Sequence, residues 1–333
     1  MERDVLILRE AEIRTLLDVS SCLLAVEEAF SSYARGQAAL PAVINLEVRE
    51  HDGEVHVKAG HLQGGANYAV KIASGFPGNA ARGLPPNDGM VLVFDAASGA
   101  PAAMLLDNGF ITDRRTGAAG GVAARHLARR DAGVVGVIGC GLQARHQIES
   151  LAEVRTLREI RVYGRNAERA SACAADLAST PGVQSGRCAA VDSAEAAVRG
   201  ADIVLTVTPS RAPLVHAAWL SPGCHVTAVG SDGPDKQELH PDVLARADVL
   251  VADSRSQCLR LGEIHHAVES GAIGESDINA ELGEITAGLK PGRQSDDQIT
   301  VCDLTGVGVQ DVAAANVVLQ RACAAGLGDR LRL

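Results

Sequence analysis

Residues 133–144 read G-V-V-G-V-I-G-C-G-L-Q-A. A short apolar run broken off by a glycine turn reads as a strand buried on both faces. The turn has the spacing Gly139-x-Gly141-x-x-Ala144 and leads into a helical pattern over 142–152. That context is what a phosphate-binding turn needs. The first glycine permits the tight turn, the second lets backbone approach phosphate, and the small third residue lets the helix lie close to the strand. The helix start adds amide hydrogens and a partial positive charge. Glycine turns also join many strands to helices for purely structural reasons, so the pattern of the chain beyond the turn decides the matter.

From residue 160 onward that pattern is regular. Short apolar strands are predicted at 160–163, 201–207, 225–229, 248–252 and 299–302, with a further helix at 167–177. Strands alternating with helices imply βαβ units and a parallel sheet covered on both faces. The expected fold class is α/β, a Rossmann-type parallel sheet domain with a separate α+β domain ahead of it. In that leading part an amphipathic helix is predicted over 16–33, with Leu23, Val26, Phe30 and Tyr33 at helical spacing. Alternating segments at 43–48, 54–57, 68–72 and 90–94 read as antiparallel strands, and 112–127 as a long helix. A last helix over 311–325 is expected to pack back on the first domain. The expected organisation is therefore 1–115 with 308–333 as a substrate-binding and dimerisation domain, and 116–307 as the NAD(P)-binding domain.

Composition excludes several partners. Apolar residues make up 47% but aromatics only 2%, so the core is built of Ala, Val and Leu. The net charge of −10, with no Lys/Arg cluster, argues against nucleic acid and anionic membrane surfaces. The charged start Met1-Glu2-Arg3-Asp4 is not expected to be a signal sequence, and no apolar run approaches the length of a membrane span. The eight cysteines are scattered without a C-x-x-C pair, which fits reduced thiols in a cytoplasm. No metal site is expected. His51 and His56 lack partner ligands in sequence, and the adjacent His265 and His266 are expected to point to different faces of a helix.

The second strand should end near the cofactor's ribose, where NAD-binding folds place Asp or Glu. Here the end reads Tyr163-Gly164-Arg165-Asn166, with no carboxylate before Glu168. Arg165, helped by Arg169, would attract a 2′-phosphate, so the cofactor is expected to be NADP or NAD, with NADP favoured. The candidate cofactor-binding residues are Gly139, Gly141, Leu142, Gln143, Ala144, Gly164, Arg165, Asn166, Arg169, Thr206 and Thr208.

Three other stretches carry candidate chemistry. Lys71 lies in an apolar strand, where an ammonium is costly to bury without an anion. Arg115 lies on the helix predicted from 112, and Asp232 comes after the strand at 225–229, where ligands bind in open α/β sheets. Lys71 and Arg115 together suit a small carboxylate. They also suit structural ion pairs with Asp95, Asp107 or Asp113. Asp232 suits a proton donor or acceptor at a substrate nitrogen, and equally a turn residue before Gly233-Pro234.

The ordered set of Gly139-x-Gly141-x-Gln143-Ala144, Thr112-x-x-Arg115-Thr116, Asp232 with Lys236 and Glu238-Leu239, and the stretch from Asp303 to Asp311 resembles the ornithine cyclodeaminase/μ-crystallin family over nearly the whole chain. The pattern is most similar to the branch associated with ectoine utilisation. The resemblance implies a homodimer and an NAD(P)-binding domain. It implies that Lys71 and Arg115 hold a substrate carboxylate and that Asp232 is the catalytic carboxylate. Lys71 is counted with both the catalytic and the substrate-binding residues. Glu54 falls where cyclodeaminases place a carboxylate for an amino group. An arginine common in the family after the first helix is missing from Leu40-Pro-Ala-Val-Ile-Asn-Leu, and Lys58 is the candidate replacement.

The resemblance implies one of three functions. The leading one is an NAD(P)H-dependent reductase of a small imino acid, with hydride transfer at the carbon α to a carboxylate. The second is an ornithine- or lysine-type cyclodeaminase that releases ammonia with recycled NAD. The third is a non-catalytic protein that binds NADPH or a small ligand.

Overall fold

A computed structural model describes residues 4–184 and 187–332. The charged start Met1-Glu2-Arg3 lies outside the described residues. The chain divides into two compact units, Met1–Arg115 with Gly308–Leu333 and Thr116–Val307.

The first unit opens with β1 (Asp4–Arg9), α1 (Glu10–Leu16) and α2 (Val19–Ala34). The helix expected over 16–33 is α2, which starts at Val19, whereas Leu16 ends α1. Asp18 separates them, because its carboxylate accepts the Ser21 amide at 2.8 Å and caps α2. From α2, Cys22, Leu23, Val26, Ala29 and Phe30 form a buried stripe at helical spacing. Next come the strands β2 (Ala38–Ala39), β3 (Ile44–Val48), β4 (Gly53–Leu62), β5 (Asn67–Gly75), β6 (Asn87–Asp95) and β7 (Pro101–Leu106). Sheet neighbours run β1-β7-β6-β5-β4-β2, with β3 also on β4. The sheet is antiparallel except where β1 runs parallel to β7. Neither β1 nor β7 is legible in the sequence. The run D-V-L-I-L-R passes directly into a helix, and P-A-A-M-L-L is rich in residues with little strand preference.

A long helix, α3 (Phe110–Leu127), leads into the second unit. There β8 (Val134–Ile138), α4 (Leu142–Ala152), β9 (Glu159–Tyr163), α5 (Ala167–Leu177), β10 (Cys188–Ala190), α6 (Ala194–Val198), β11 (Ile203–Thr206) and β12 (Arg211–Val215) alternate. They continue as β13 (His225–Ala228), β14 (Gln237–Leu239), α7 (Pro241–Ala245), β15 (Val249–Ala252), α8 (Arg255–Cys258), α9 (Gly262–Glu269), β16 (Ala280–Glu281), α10 (Leu282–Thr286) and β17 (Thr300–Asp303). The main sheet is ordered β10-β9-β8-β11-β13-β17-β15-β16, and its pairs are parallel. Alternate residues serve opposite faces. Ile203 and Leu205 join the core cluster of α4 and α5, while Val204 joins the cluster of α7 and α9. Each such buried Val, Leu or Ile contributes about 1.5–3 kcal/mol.

The chain then returns to the first unit through α11 (Gly308–Ala325) and β18 (Asp329–Arg332). The helix packs on α2, β4 and β5, and β18 adds an antiparallel edge to β1. No helix among the described residues is long and apolar enough to cross a membrane.

Candidate active site

In the second unit the turn after β8 has the backbone its glycines demand. Gly139 has φ +120°, and a Cβ there would stand 2.9 Å from Val207 Cγ2 and 2.9 Å from the Val207 carbonyl oxygen. At Gly141, the N-cap of α4, a Cβ would have no atom within 4 Å. One glycine is required by sterics, and the other opens space for a ligand. Leu142, Gln143 and Ala144 form the first helical turn, whose amides have no partner within the helix. The Ala144 side chain is fully buried beneath that turn. Arg145, which sequence reasoning missed, donates to the Gly141 carbonyl at 3.0 Å and to Asp176, bracing the turn.

A cleft of about 690 Å³ opens from this turn, within the usual range for a small-molecule site. Gly139, Gly141, Gly164, Arg165, Asn166, Arg169 and Thr208 line it. Thr206 is fully buried and does not line it. Ser210 and Arg211, at the start of β12, join the wall unforeseen, because their stretch carries no motif. At the end of β9, Arg165 and Arg169 are exposed on the wall, whereas Glu168 is not part of it. Asn166 accepts the Arg169 amide at 2.8 Å through Oδ1, so its side chain caps α5.

Asp232 lies beyond β13 with its side chain 53% exposed, and its Oδ1 accepts a hydrogen bond from Lys236 Nζ at 2.6 Å. Behind it, the fully buried Glu238 accepts amide hydrogens from Thr208 at 2.5 Å and Gly230 at 2.8 Å. One carboxylate thereby ties together the turns after β11 and β13. Burial pushes Glu238 up to about 7 against the opposing pull of its hydrogen bonds from Thr208 and Gly230.

In the first unit, Lys71 on β5 sits opposite Lys58 on β4. Lys71 and Arg115 are both buried, and both reach Asp311 on α11. Lys71 Nζ lies 3.1 Å and Arg115 Nε 2.9 Å from Asp311 Oδ1. Arg115 Nη1 also donates to Gln310 Oε1 at 2.5 Å. Asp311 Oδ2 and Gln310 Nε2 are buried without a hydrogen-bond partner. Burial, then the neighbouring positive charges of Arg115 and Lys58, outweigh Asp311 and lower Lys71 to about 7. Burial alone would raise Asp311, but Arg115, Lys71 and Lys58 hold it below its ordinary value. Asp107 is raised to about 6, chiefly by burial, and its Oδ2 accepts the Ile111 amide at 2.8 Å.

The ion pair of Lys71 and Arg115 is therefore with Asp311, and not with the carboxylates nearer in sequence. Asp95 is turned to Ser98, whose amide it accepts at 2.8 Å. Among Lys58, Lys71, Arg115, Asp107 and Asp311, cationic groups outnumber carboxylates, which suits an anionic ligand. Glu54 stands apart. It precedes Lys58 by four positions on β4, about 13 Å along the strand, with its side chain half exposed near His56.

The histidine pair departs from expectation. His265 and His266 do not point apart on α9, because their ring centroids lie 4.9 Å from one another.

The sequence profile of the ornithine cyclodeaminase/mu-crystallin family matches residues 3–326. The chain belongs to this family. Three solved structures of similar proteins superpose along nearly its whole length. An archaeal alanine dehydrogenase dimer with bound NAD gives a TM-score of 0.91 at 38% identity, covering 99% of each chain. The Thermococcus litoralis Δ1-pyrroline-2-carboxylate reductase, in complex with NADH and L-proline, gives 0.93 at 33% identity, covering 98% of this chain and 100% of its own. The Paracoccus denitrificans iminosuccinate reductase, in complex with NAD+, gives 0.89 at 30% identity, covering 99% of this chain and 100% of its own. This ornithine cyclodeaminase/mu-crystallin family member thus shares the α/β fold of dehydrogenases and reductases acting at carbon–nitrogen bonds.

Proposed function

We propose that the protein is an NAD(P)H-dependent reductase of a small imino acid, working at the carbon α to a carboxylate. The observation that carries this reading is the buried cluster of Lys71, Arg115 and Asp311, with Lys58 beside it. Arg115 and Lys71 hold the substrate carboxylate, and Asp232 gives a proton to the substrate nitrogen as the imine becomes an amine. The Gly139–Ala144 turn, Arg165, Asn166, Arg169 and Thr208 hold the dinucleotide. The open space at Gly141 fits its phosphates. When bound, the reduced nicotinamide supplies the hydride. Arg165 and Arg169, with no carboxylate on the cleft wall beside them, support a preference for NADP.

The unit Met1–Arg115 with Gly308–Leu333 is the substrate-binding and dimerisation domain, and Thr116–Val307 the NAD(P)-binding domain. Ile44 and Leu46, 63% and 57% exposed on β3, support a homodimer formed through the first. The absence of a carboxylate from the cleft wall beside Arg165 and Arg169 weighs against a cyclodeaminase that recycles NAD.

The test is the absorbance of NADPH and NADH during a screen of keto acid plus amine mixtures and preformed cyclic imines. Ammonia is assayed in parallel with ornithine and lysine plus oxidised cofactor. Net loss of reduced cofactor is expected with at least one imine. Ammonia release without net change in absorbance would make the protein a cyclodeaminase.

A further inference from the structure

The strands β12 and β14 form a parallel pair outside the main sheet, with Val215 opposite Leu239. Each strand passes at once into a histidine. His216 and His240 therefore leave two strand ends about 4.8 Å apart, and their rings lie with centroids 4.9 Å apart and planes 34° from parallel. His240 caps α7, and Asp242 stands in the first turn of that helix. Asp242 Oδ1 lies 3.0 Å from His240 Nδ1 and accepts the Ala217 amide at 3.1 Å. The Trp219 ring meets His216 edge-on, with centroids 5.0 Å apart. One ligand atom from each of His216, His240 and Asp242 falls within 4.8 Å of the others, and all three residues are partly buried.

We propose that His216, His240 and Asp242 form a binding site for a divalent transition metal, best suited to Zn²⁺. Two imidazoles and one carboxylate are a donor set for borderline ions and not for Mg²⁺ or Ca²⁺, which take oxygen ligands. A tetrahedral zinc with bonds of 2.0–2.1 Å needs donor atoms about 3.3 Å apart. The His240 Nδ1–Asp242 Oδ1 pair, at 3.0 Å, is already close to that separation, and a metal at Nδ1 replaces its long 3.4 Å hydrogen bond from the Asp242 amide. The Ala217 amide orients the carboxylate from outside, as partners of metal ligands commonly do. Three protein ligands leave the fourth tetrahedral position to water. His216 directly follows Val215 at the end of β12, which is bulged between Arg211 and Val215. The ion joins β12 to α7 and braces the strand that carries Arg211, Ala212 and Leu214 into the wall.

A second cluster, His265, His266 and Glu269, also brings its donor atoms within 4.8 Å. It is the weaker candidate. His266 Nε2 is engaged by the Lys236 carbonyl at 2.9 Å, and the Glu269 side chain is 67% exposed. It serves as the internal control.

The test titrates the full chain, reduced and stripped with a chelator, with Co²⁺ alone and then with competing Zn²⁺. A Cys323→Ser background removes the one exposed thiol. The expected result is one equivalent of Co²⁺ with tetrahedral visible absorption, displaced by Zn²⁺, and a melting temperature that rises with Zn²⁺. Either His216→Gln or His240→Asn should weaken binding at least about tenfold and abolish the rise. The double variant His265→Gln/His266→Gln should bind like the parent. Asn at 240 keeps a helix-capping side chain. If that variant nonetheless fails to fold without metal, His216→Gln, whose side chain caps no helix, carries the test. Binding only at millimolar Co²⁺, binding unchanged in His216→Gln, or binding lost only in the His265/His266 variant would overturn the proposal.

Discussion

Lys71 Nζ and Arg115 Nε approach the same oxygen of Asp311, at 3.1 and 2.9 Å, with all three side chains buried. The strand, the helix and the C-terminal helix of the first unit are thus joined through one carboxylate. Replacing Asp311 by Asn would leave two cations buried without their counter-charge. Breaking a buried pair from one side typically costs about 3–5 kcal/mol. Denaturant unfolding of Asp311→Asn should show a loss of that order. A loss under about 1 kcal/mol would mean that the cluster is solvated in solution.

Lys71 should give substrate binding a pH dependence. Its ordinary value of 10.5 is lowered to about 7, first by burial and then by Arg115 and Lys58. As pH rises through that point the free enzyme loses a cation, and carboxylate affinity falls. KM for the imino acid should therefore rise above about pH 7. Lys71→Arg, whose charge persists, should flatten that rise. Lys71→Met should lose a charge-assisted hydrogen bond worth about 1.5–3 kcal/mol, a roughly ten- to hundredfold increase in KM. A KM independent of pH in the parent from 6 to 9 would remove Lys71 from substrate recognition.

Arg165 and Arg169 form the cationic wall beside the end of β9. Arg165→Ala should lower kcat/KM for NADPH about tenfold, equivalent to 1.4 kcal/mol, while changing that for NADH less than twofold. Equal losses with both cofactors would assign the arginine to general dinucleotide binding and not to a 2′-phosphate.

Asp232 is exposed and paired with Lys236 at 2.6 Å, so it contributes little to holding the fold. Asp232→Asn should melt within a few degrees of the parent and bind NADPH with unchanged affinity, as read by cofactor fluorescence. Its kcat should fall by about 10²–10⁴, the scale of general acid–base catalysis. A fully active variant would assign the proton transfer to another group.

The glycine turn and the parallel sheet were legible because local chemistry dictates them. Gly139 must adopt φ +120°, and the alternating strand–helix pattern leaves few other arrangements. The cationic residues Lys71 and Arg115 stood out as misfits in apolar surroundings. Their partner did not, because Asp311 arrives from the far end of the chain, and Asp95, Asp107 and Asp113 all lie closer in sequence. Glu54 begins an alternating strand segment, where a solvated side chain is as natural as a ligand. Glu238 stood out only as part of a family motif, and its burial by β14 against the turns at Thr208 and Gly230 had no local sign. Nothing local announced that His216 and His240 would meet, since the register of β12 on β14 alone brings them together.

The central claim is that hydride is delivered to the carbon α to a carboxylate with net consumption of the cofactor. Its most direct test is transfer from NADPH or NADH bearing deuterium at the reactive nicotinamide position, with mass spectrometry of the product. The expected outcome is one deuterium at the α carbon of the amine for each reduced cofactor consumed. A product without deuterium, or ammonia released while the cofactor pool stays unchanged, would contradict it.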